Sequence, residues 1–394
     1  MIALLACMAT LTGPRIIEAI DPASNRISVQ ILAKLPELDA RELGMARVLE
    51  DVLLEDTTEF SKARLLAMTG TFGTPIRCRL MPDCIRVQFT MPKGSLAAAA
   101  AIANAVCRNA SLRAEAVAAS LETVPFKNRD YWVEALDPYV AKYERIRLSD
   151  LREFYRHLFR PSNLVIGVAG AFEEGEAATR FSAAFADWVP AKDTYPRYHF
   201  TDWPKPMETR RRRVATLELL ADAMPENAGL NLAMASVMGL GKGSLVFRTL
   251  REKLVLSYRQ EAFLWPSSKG MQLRVIVAVT DIDRGRQAAP AMRAELLAAV
   301  DAIGDGDLTR AKALLRSAWQ HGFIGAPFYF DDGRPVTGGI EDKALLAAYG
   351  QMKVGTPWDT EGLLKKAEAV GLDDLKRTLK AALENAKFRA IWPS

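Results

Sequence analysis

The sequence predicts an α+β protein made of two similar domains, each a mostly antiparallel sheet with helices packed on one face. Three observations carry this expectation. The order helix, helix, strand, strand, helix occurs twice along the chain at comparable spacing. In both copies the strands come as adjacent pairs and do not alternate singly with helices, which favours antiparallel pairing over a doubly wound parallel sheet. Between the copies, "ADWVPAKDTYPRYHFTDWPKPMET" (186–209) is rich in Pro, Trp and Tyr, has no helical period and reads as a linker. The expected division is a first domain over 1–190, a linker over 191–204 and a second domain over 205–394.

The first copy opens with "GMARVLEDVLLED" (44–56), where Met45, Val48, Leu49, Val52 and Leu53 recur at helical spacing and mark a core-facing stripe. Arg47, Glu50 and Asp51 sit together on another part of that helix and, locally, read as a surface trio that pairs at i, i+3 and i+4. A second helix follows in "TEFSKARLLAMTGTFG", then strands in "PIRCRLMP" and "CIRVQFTMP". The latter alternates Ile85, Val87 and Phe89 on one side with Arg86, Gln88 and Thr90 on the other. The alanine-rich helix "SLAAAAAIANAVCRNA" closes the unit.

The second copy repeats the order. "NAGLNLAMASVMGLG" and "SLVFRTLREKLVLS" read as helices, "YRQEAFLWP" and "MQLRVIVAVT" as strands, and one long helix is expected over roughly 283–301. Compact apolar strands, "NLVIGVAG" and "FRAIWP", end the two halves. The "GLGKGS" stretch (239–244) fails the P-loop spacing, because Gly243 separates Lys242 from Ser244, and is expected to be an interhelical turn with glycine at positive φ.

Composition narrows the function classes. The chain has 394 residues, 25% charged side chains and a formal charge of +5. Its one dense basic run, Arg210 to Arg213, lacks the aromatic interleaving of nucleic-acid platforms, so no nucleic-acid partner is expected. Four cysteines (Cys7, Cys78, Cys84, Cys107) and three histidines (His157, His199, His321) show none of the recognised zinc spacings. Cys78 and Cys84 flank a turn and read either as hairpin neighbours or as buried free thiols. His157 reads as a surface or packed histidine. No nucleophile elbow or trusted Cys–His–acid pattern supports a stand-alone hydrolase. The apolar start "MIALLACMAT" lacks a basic region, and six residues precede Cys7, so it is either ordinary chain or a truncated signal. No apolar run reaches the ~18 to 20 residues of a spanning helix, so no integral membrane contact is expected. The compartment stays open between bacterial cytoplasm and periplasm.

The duplicated α+β pattern, "FYRHLFRPSNLVIGVAGAF" and above all "LGKGSLVFRTLREKLVLSY" together resemble the pitrilysin/insulinase-type metallopeptidases, over about residues 25–393. Active members of that family carry H-x-x-E-H on a helix, two histidines binding zinc and the glutamate activating its water. The resemblance lays these positions on Arg47, Glu50 and Asp51, so the base glutamate is kept and both histidines are lost. Arginine offers donors only and does not deprotonate in a protein, so it repels a dication. Acidic candidates for the family's third ligand are Glu115, Glu122 and Glu134, with Glu122 nearest the expected place. No metal is expected in this chain.

The resemblance also implies that Arg251 and Tyr258 match a second-domain arginine and tyrosine that reach a bound peptide. On residues alone, Arg251 caps its helix end and Tyr258 starts a strand. The expectation that follows is a non-catalytic subunit of a heterodimeric zinc peptidase. It would form half of a peptide-binding chamber and supply Arg251 and Tyr258 to substrate at a homologous, zinc-carrying partner. The alternative is an inactive scaffold or peptide-binding protein of the same fold within a larger assembly.

Overall fold

The computed structural model describes residues 13–36, 38–71, 73–124, 143, 145–188, 215–257, 259–267, 270–321, 327–330 and 335–392. These divide into two compact units. The linker expected over 191–204 lies outside the described residues.

The first unit contains strands β1 (Arg15–Ile20), β2 (Arg26–Lys34), β3 (Arg77–Leu80), β4 (Cys84–Pro92) and β5 (Leu164–Gly170), and helices α1 (Ala40–Val52), α2 (Lys62–Gly70), α3 (Leu96–Arg108), α4 (Ala114–Thr123), α5 (Leu148–Leu158) and α6 (Glu176–Ala184). The sheet order is β1-β5-β2-β4-β3, antiparallel except where β1 runs parallel to β5. Alternation along β2 places Ile27, Val29, Ile31 and Ala33 in one core with Val48 and Leu49 of α1, Ala99 and Val106 of α3, and Phe154 of α5. Glu18 on β1 accepts from the Gly175 and Ala178 backbone N–H groups at 2.7 Å each, satisfying donors at the start of α6.

The second unit contains β6 (Ala215–Ala223), α7 (Ala228–Gly239), a π-helix (Phe247–Lys253), β7 (Arg259–Ser267), β8 (Gly270–Val279), α8 (Ile282–Ala288), α9 (Met292–Asp301) and α10 (Asp305–His321). The next helix, α11 (Ile340–Val354), belongs to the first unit, and the second unit resumes with α12 (Thr360–Glu368), α13 (Leu372–Glu384) and β9 (Lys387–Ile391). Its sheet, β7-β8-β6-β9, is antiparallel throughout. The fold class is therefore α+β, as the paired strands imply.

Three findings refine the sequence reading. The helix expected over 283–301 is two helices, separated by a 3-10 turn at Ala289–Ala291 that contains Pro290, whose ring and missing N–H break the ladder. The stretch "FRTLREK" is helical with π geometry. Residues Ile340–Asp359 lie in the second half of the sequence and pack in the first unit, where α11 crosses β1, β2 and β5. They cover the sheet face opposite the main core. Register puts Ser28, Gln30 and Gly167 on that face with Gln88 and Thr90, and all but Gly167 are polar yet buried. Gly167 is required there, because a Cβ would stand 2.1 Å from the Ala344 carbonyl oxygen.

Polar contacts hold α11 in place. The Tyr349 hydroxyl donates to Asp83 Oδ2 at 2.7 Å, and Lys353 Nζ lies 2.5 Å from the same oxygen. Lys343 pairs with Asp21 at 2.8 Å, and Thr74 hydrogen-bonds Glu341.

Candidate functional site

Helix α1 begins at Ala40, five residues before Met45, where the apolar stripe that reveals it starts. Asp39 accepts from the Arg41 and Glu42 N–H groups at 2.7 and 2.8 Å, and Glu42 accepts from the Asp39 N–H at 2.9 Å, a reciprocal capping box. The stripe then faces the core, with Val48 and Leu49 at 0% exposure. Arg47 lies mostly inside the protein as well, at 8% exposure, whereas Glu50 and Asp51 are half-buried. The carboxylate of Glu50 has the exposed Arg79 of β3 at 3.9 Å. The expected surface trio is thus an arginine sunk beside the core and a glutamate directed at the neighbouring strand.

Helix α4 packs against α1 and carries Glu115 and Glu122, both exposed. Glu134 lies outside the described residues. Among the described residues no group of three His, Cys, Asp or Glu side chains is placed to hold a metal ion. Cys78, Cys84 and Cys107 are free and buried. Cys78 stands opposite Val87 in the hairpin register, so it does not face Cys84. Burial, and next the nearby Glu50 carboxylate, push the Cys78 thiol well above its usual pKa; burial, and next Asp83, do the same for Cys84. Burial alone raises Cys107. Thiols held protonated in this way are poor metal ligands and poor nucleophiles. His157 Nε2 is 3.8 Å from Glu153 one turn earlier, and His321 is exposed at the end of α10. His199 and Cys7 lie outside the described residues.

The second site element is the π-helix. Val246 leads into it, and the Leu254 N–H closes its end on the Thr249 carbonyl at 2.9 Å. Thr249 and Leu250 are buried, anchoring the element, while Arg251 is half-buried with its guanidinium 4.8 Å above the Phe247 ring. Lys253 pairs with Glu295 of α9. Stacking on Phe247 fixes the stem of Arg251 through a cation–π contact and preorganises a planar, always charged fork. Such a group suits bidentate recognition of a carboxylate or paired carbonyl groups. π-helical turns occur frequently at functional sites. Tyr258 lies outside the described residues. The glycine turn before this element has Gly241 at φ 74°, as its sequence implies.

Sequence reasoning missed the buried Asp83–Tyr349–Lys353 cluster, whose members have no local pattern in common. It also missed Val255, a β-branched residue at φ 49° four positions after Arg251.

The match to known proteins agrees with this layout. Residues 145–315 match the family described as the peptidase M16 inactive domain. Among curated proteins none matches the sequence. In fold the chain is similar to a protease from Helicobacter pylori, with a TM-score of 0.73 and 14% identity over 97% of both chains. It is similar also to a peptidase M16 inactive domain from Pseudomonas fluorescens, at a TM-score of 0.70 and 12% identity, covering 98% of this chain and 97% of that one. The periplasmic protease PqqL from Escherichia coli matches at 0.62 with 16% identity, covering 96% of this chain but 46% of PqqL. At these identities the likeness is one of fold. Among the described residues no helix is long and apolar enough to cross a membrane.

Proposed function

Because residues 145–315 match the peptidase M16 inactive domain, we propose that this chain is the non-catalytic subunit of a heterodimeric zinc peptidase. Its partner is a homologous chain carrying the intact H-x-x-E-H helix and the zinc ion. This chain forms half of the chamber that receives a peptide or unfolded polypeptide, and brings Arg251 and Tyr258 to the substrate at the partner's metal.

The observation that carries the reading is Arg47. It occupies a zinc-ligand position of the resembling motif, is 8% exposed, and presents only donors. A cation held there by the core excludes a second, divalent cation at the same place, whatever Glu50 and Asp51 do. The division of labour with a partner draws support from size, since this chain spans a little under half of PqqL. The chemistry then falls to donors. The Arg251 fork would orient the peptide through its carbonyl groups, and the Tyr258 hydroxyl would donate to the oxyanion of the tetrahedral intermediate, while the partner's zinc would supply the Lewis acid.

Co-expression with a homologous chain bearing the zinc motif tests this directly. The pair is expected to elute as one species with one zinc per heterodimer and to cleave unfolded polypeptide, while this chain alone elutes without stoichiometric zinc and is inactive. A chain that forms no such pair, yet stays bound in a larger non-proteolytic assembly, would favour a scaffold and end the peptidase reading.

A further inference from the structure

The end of the π-helix holds a backbone conformation that its sequence does not favour. The Leu256 N–H reaches back to the Leu250 carbonyl at 2.8 Å, just beyond the Leu254 to Thr249 bond at 2.9 Å. Closing the turn this way needs a left-handed residue between Leu254 and Leu256, and that residue is Val255, at φ 49°. Helix ends usually fill this slot with glycine. A β-branched side chain there is strained, because its Cβ crowds the following carbonyl. Packing does not offset the strain: Val255 is 52% exposed, while Leu250 and Leu256 on either side of the turn are buried. Strain without a packing reason concentrates at ligand contacts.

Val255 lies four residues after Arg251 and three before Tyr258. We propose that the Val255 side chain is an apolar contact for the bound peptide and selects for an apolar residue at one substrate position. This rests on the substrate-binding role of the Arg251–Tyr258 element proposed above. The division of tasks follows from the chemistry of the groups. In the role proposed above, the arginine fork and the tyrosine hydroxyl grip backbone oxygens, which every peptide has. The exposed isopropyl group adds a preference among side chains, through the area it removes from water on contact.

The test uses the reconstituted heterodimer and a peptide series in which each position in turn carries leucine or serine. Val255→Ala keeps the backbone and deletes two methyl groups. It is expected to lower kcat/KM roughly ten-fold for peptides with leucine at one position and to leave their serine counterparts nearly unchanged. A uniform fall, or none, overturns the proposal. Arg251→Gln in the same pair separates this failure from that of the underlying reading. If Arg251→Gln slows every peptide while Val255→Ala shows no selectivity, only the Val255 contact is lost; if both are silent, the element does not meet substrate and both readings fall. The strain itself is tested in the isolated chain. Val255→Asn, which tolerates the left-handed region, is expected to raise Tm by about 2 °C. A lowered Tm would mean that packing holds the valine in place, and would remove the premise.

Discussion

Replacing Tyr349 with phenylalanine tests how α11 is fixed to a sheet made by residues of the first half of the chain. The ring is 0% exposed and packs edge-on against Trp358 with centroids 5.6 Å apart, so phenylalanine preserves the packing. The hydrogen bond removed is the one, 2.7 Å long, donated to the carboxylate of Asp83, itself 3% exposed. A buried hydrogen bond to a charged group contributes about 1.5–3 kcal/mol. Lys353 still faces Asp83 at 2.5 Å, so the carboxylate keeps its cation and the loss should stay within that range. Lys353→Met should cost more, roughly 3–5 kcal/mol, because it leaves the carboxylate buried without its ammonium. Urea unfolding followed by hydrogen exchange across 340–359 gives both values, with the loss concentrated in that segment. A Tyr349→Phe change within about 0.5 kcal/mol of wild type would refute the anchoring role. The same residue sets a pH limit. Burial, and next Asp83, raise the Tyr349 pKa well above its ordinary value of 10.0, so its contribution is complete below pH 10. It is lost as pH rises through the folded-state pKa, because only the unfolded state deprotonates readily. Tyr349→Phe should flatten that alkaline loss of stability.

Other substitutions follow from close packing and burial. Gly167→Ala sets a Cβ 2.1 Å from the backbone oxygen of Ala344, which cannot move without the helix, and should destabilise by about 1–3 kcal/mol or more in thermal unfolding; a neutral result would mean that α11 does not lie against β5. Iodoacetamide near pH 8 should leave Cys78, Cys84 and Cys107 unlabelled in the native protein and label them after denaturation, as mass spectrometry would read, because their thiols are buried and held protonated. Asp150 has its pKa lowered by its hydrogen bond with Arg147, so its stabilisation is present above the usual carboxylate pKa and is lost as pH falls through the lowered value. An Asp150→Asn variant should therefore show a shallower acid limb, and an unchanged limb would count against the pairing.

Local pattern reveals elements whose stability is local. The α1 stripe is plain in Val48, Leu49 and Val52, and its start shifts to Ala40 only because Asp39 and Glu42 cap each other, a signal present in "DARE" but separate from the stripe. Strand β6 is harder, since "ATLELLADA" is made largely of good helix formers. It is a strand because β8 and β9 pair with it and because Glu218, at 0% exposure, meets Arg389 of β9. The burial of Arg86, Gln88 and Thr90 was hidden for a similar reason. Their alternation with Ile85, Val87 and Phe89 predicts a polar outer face, yet all three are buried, on the sheet face that α11 covers at the neighbouring β2 and β5. In the site, only the resemblance lays Arg47 on a zinc-ligand position, and its burial required the fold. The left-handed Val255 leaves no mark in "REKLVLSY", because nothing in that stretch signals positive φ.

In the proposed role this chain supplies donors to a reaction whose metal sits elsewhere. The most direct measurement is single-turnover cleavage by the reconstituted heterodimer carrying Tyr258→Phe. The account predicts intact assembly and zinc content with a rate lowered by about 10²-fold, the usual cost of losing one oxyanion donor. A wild-type rate would contradict it.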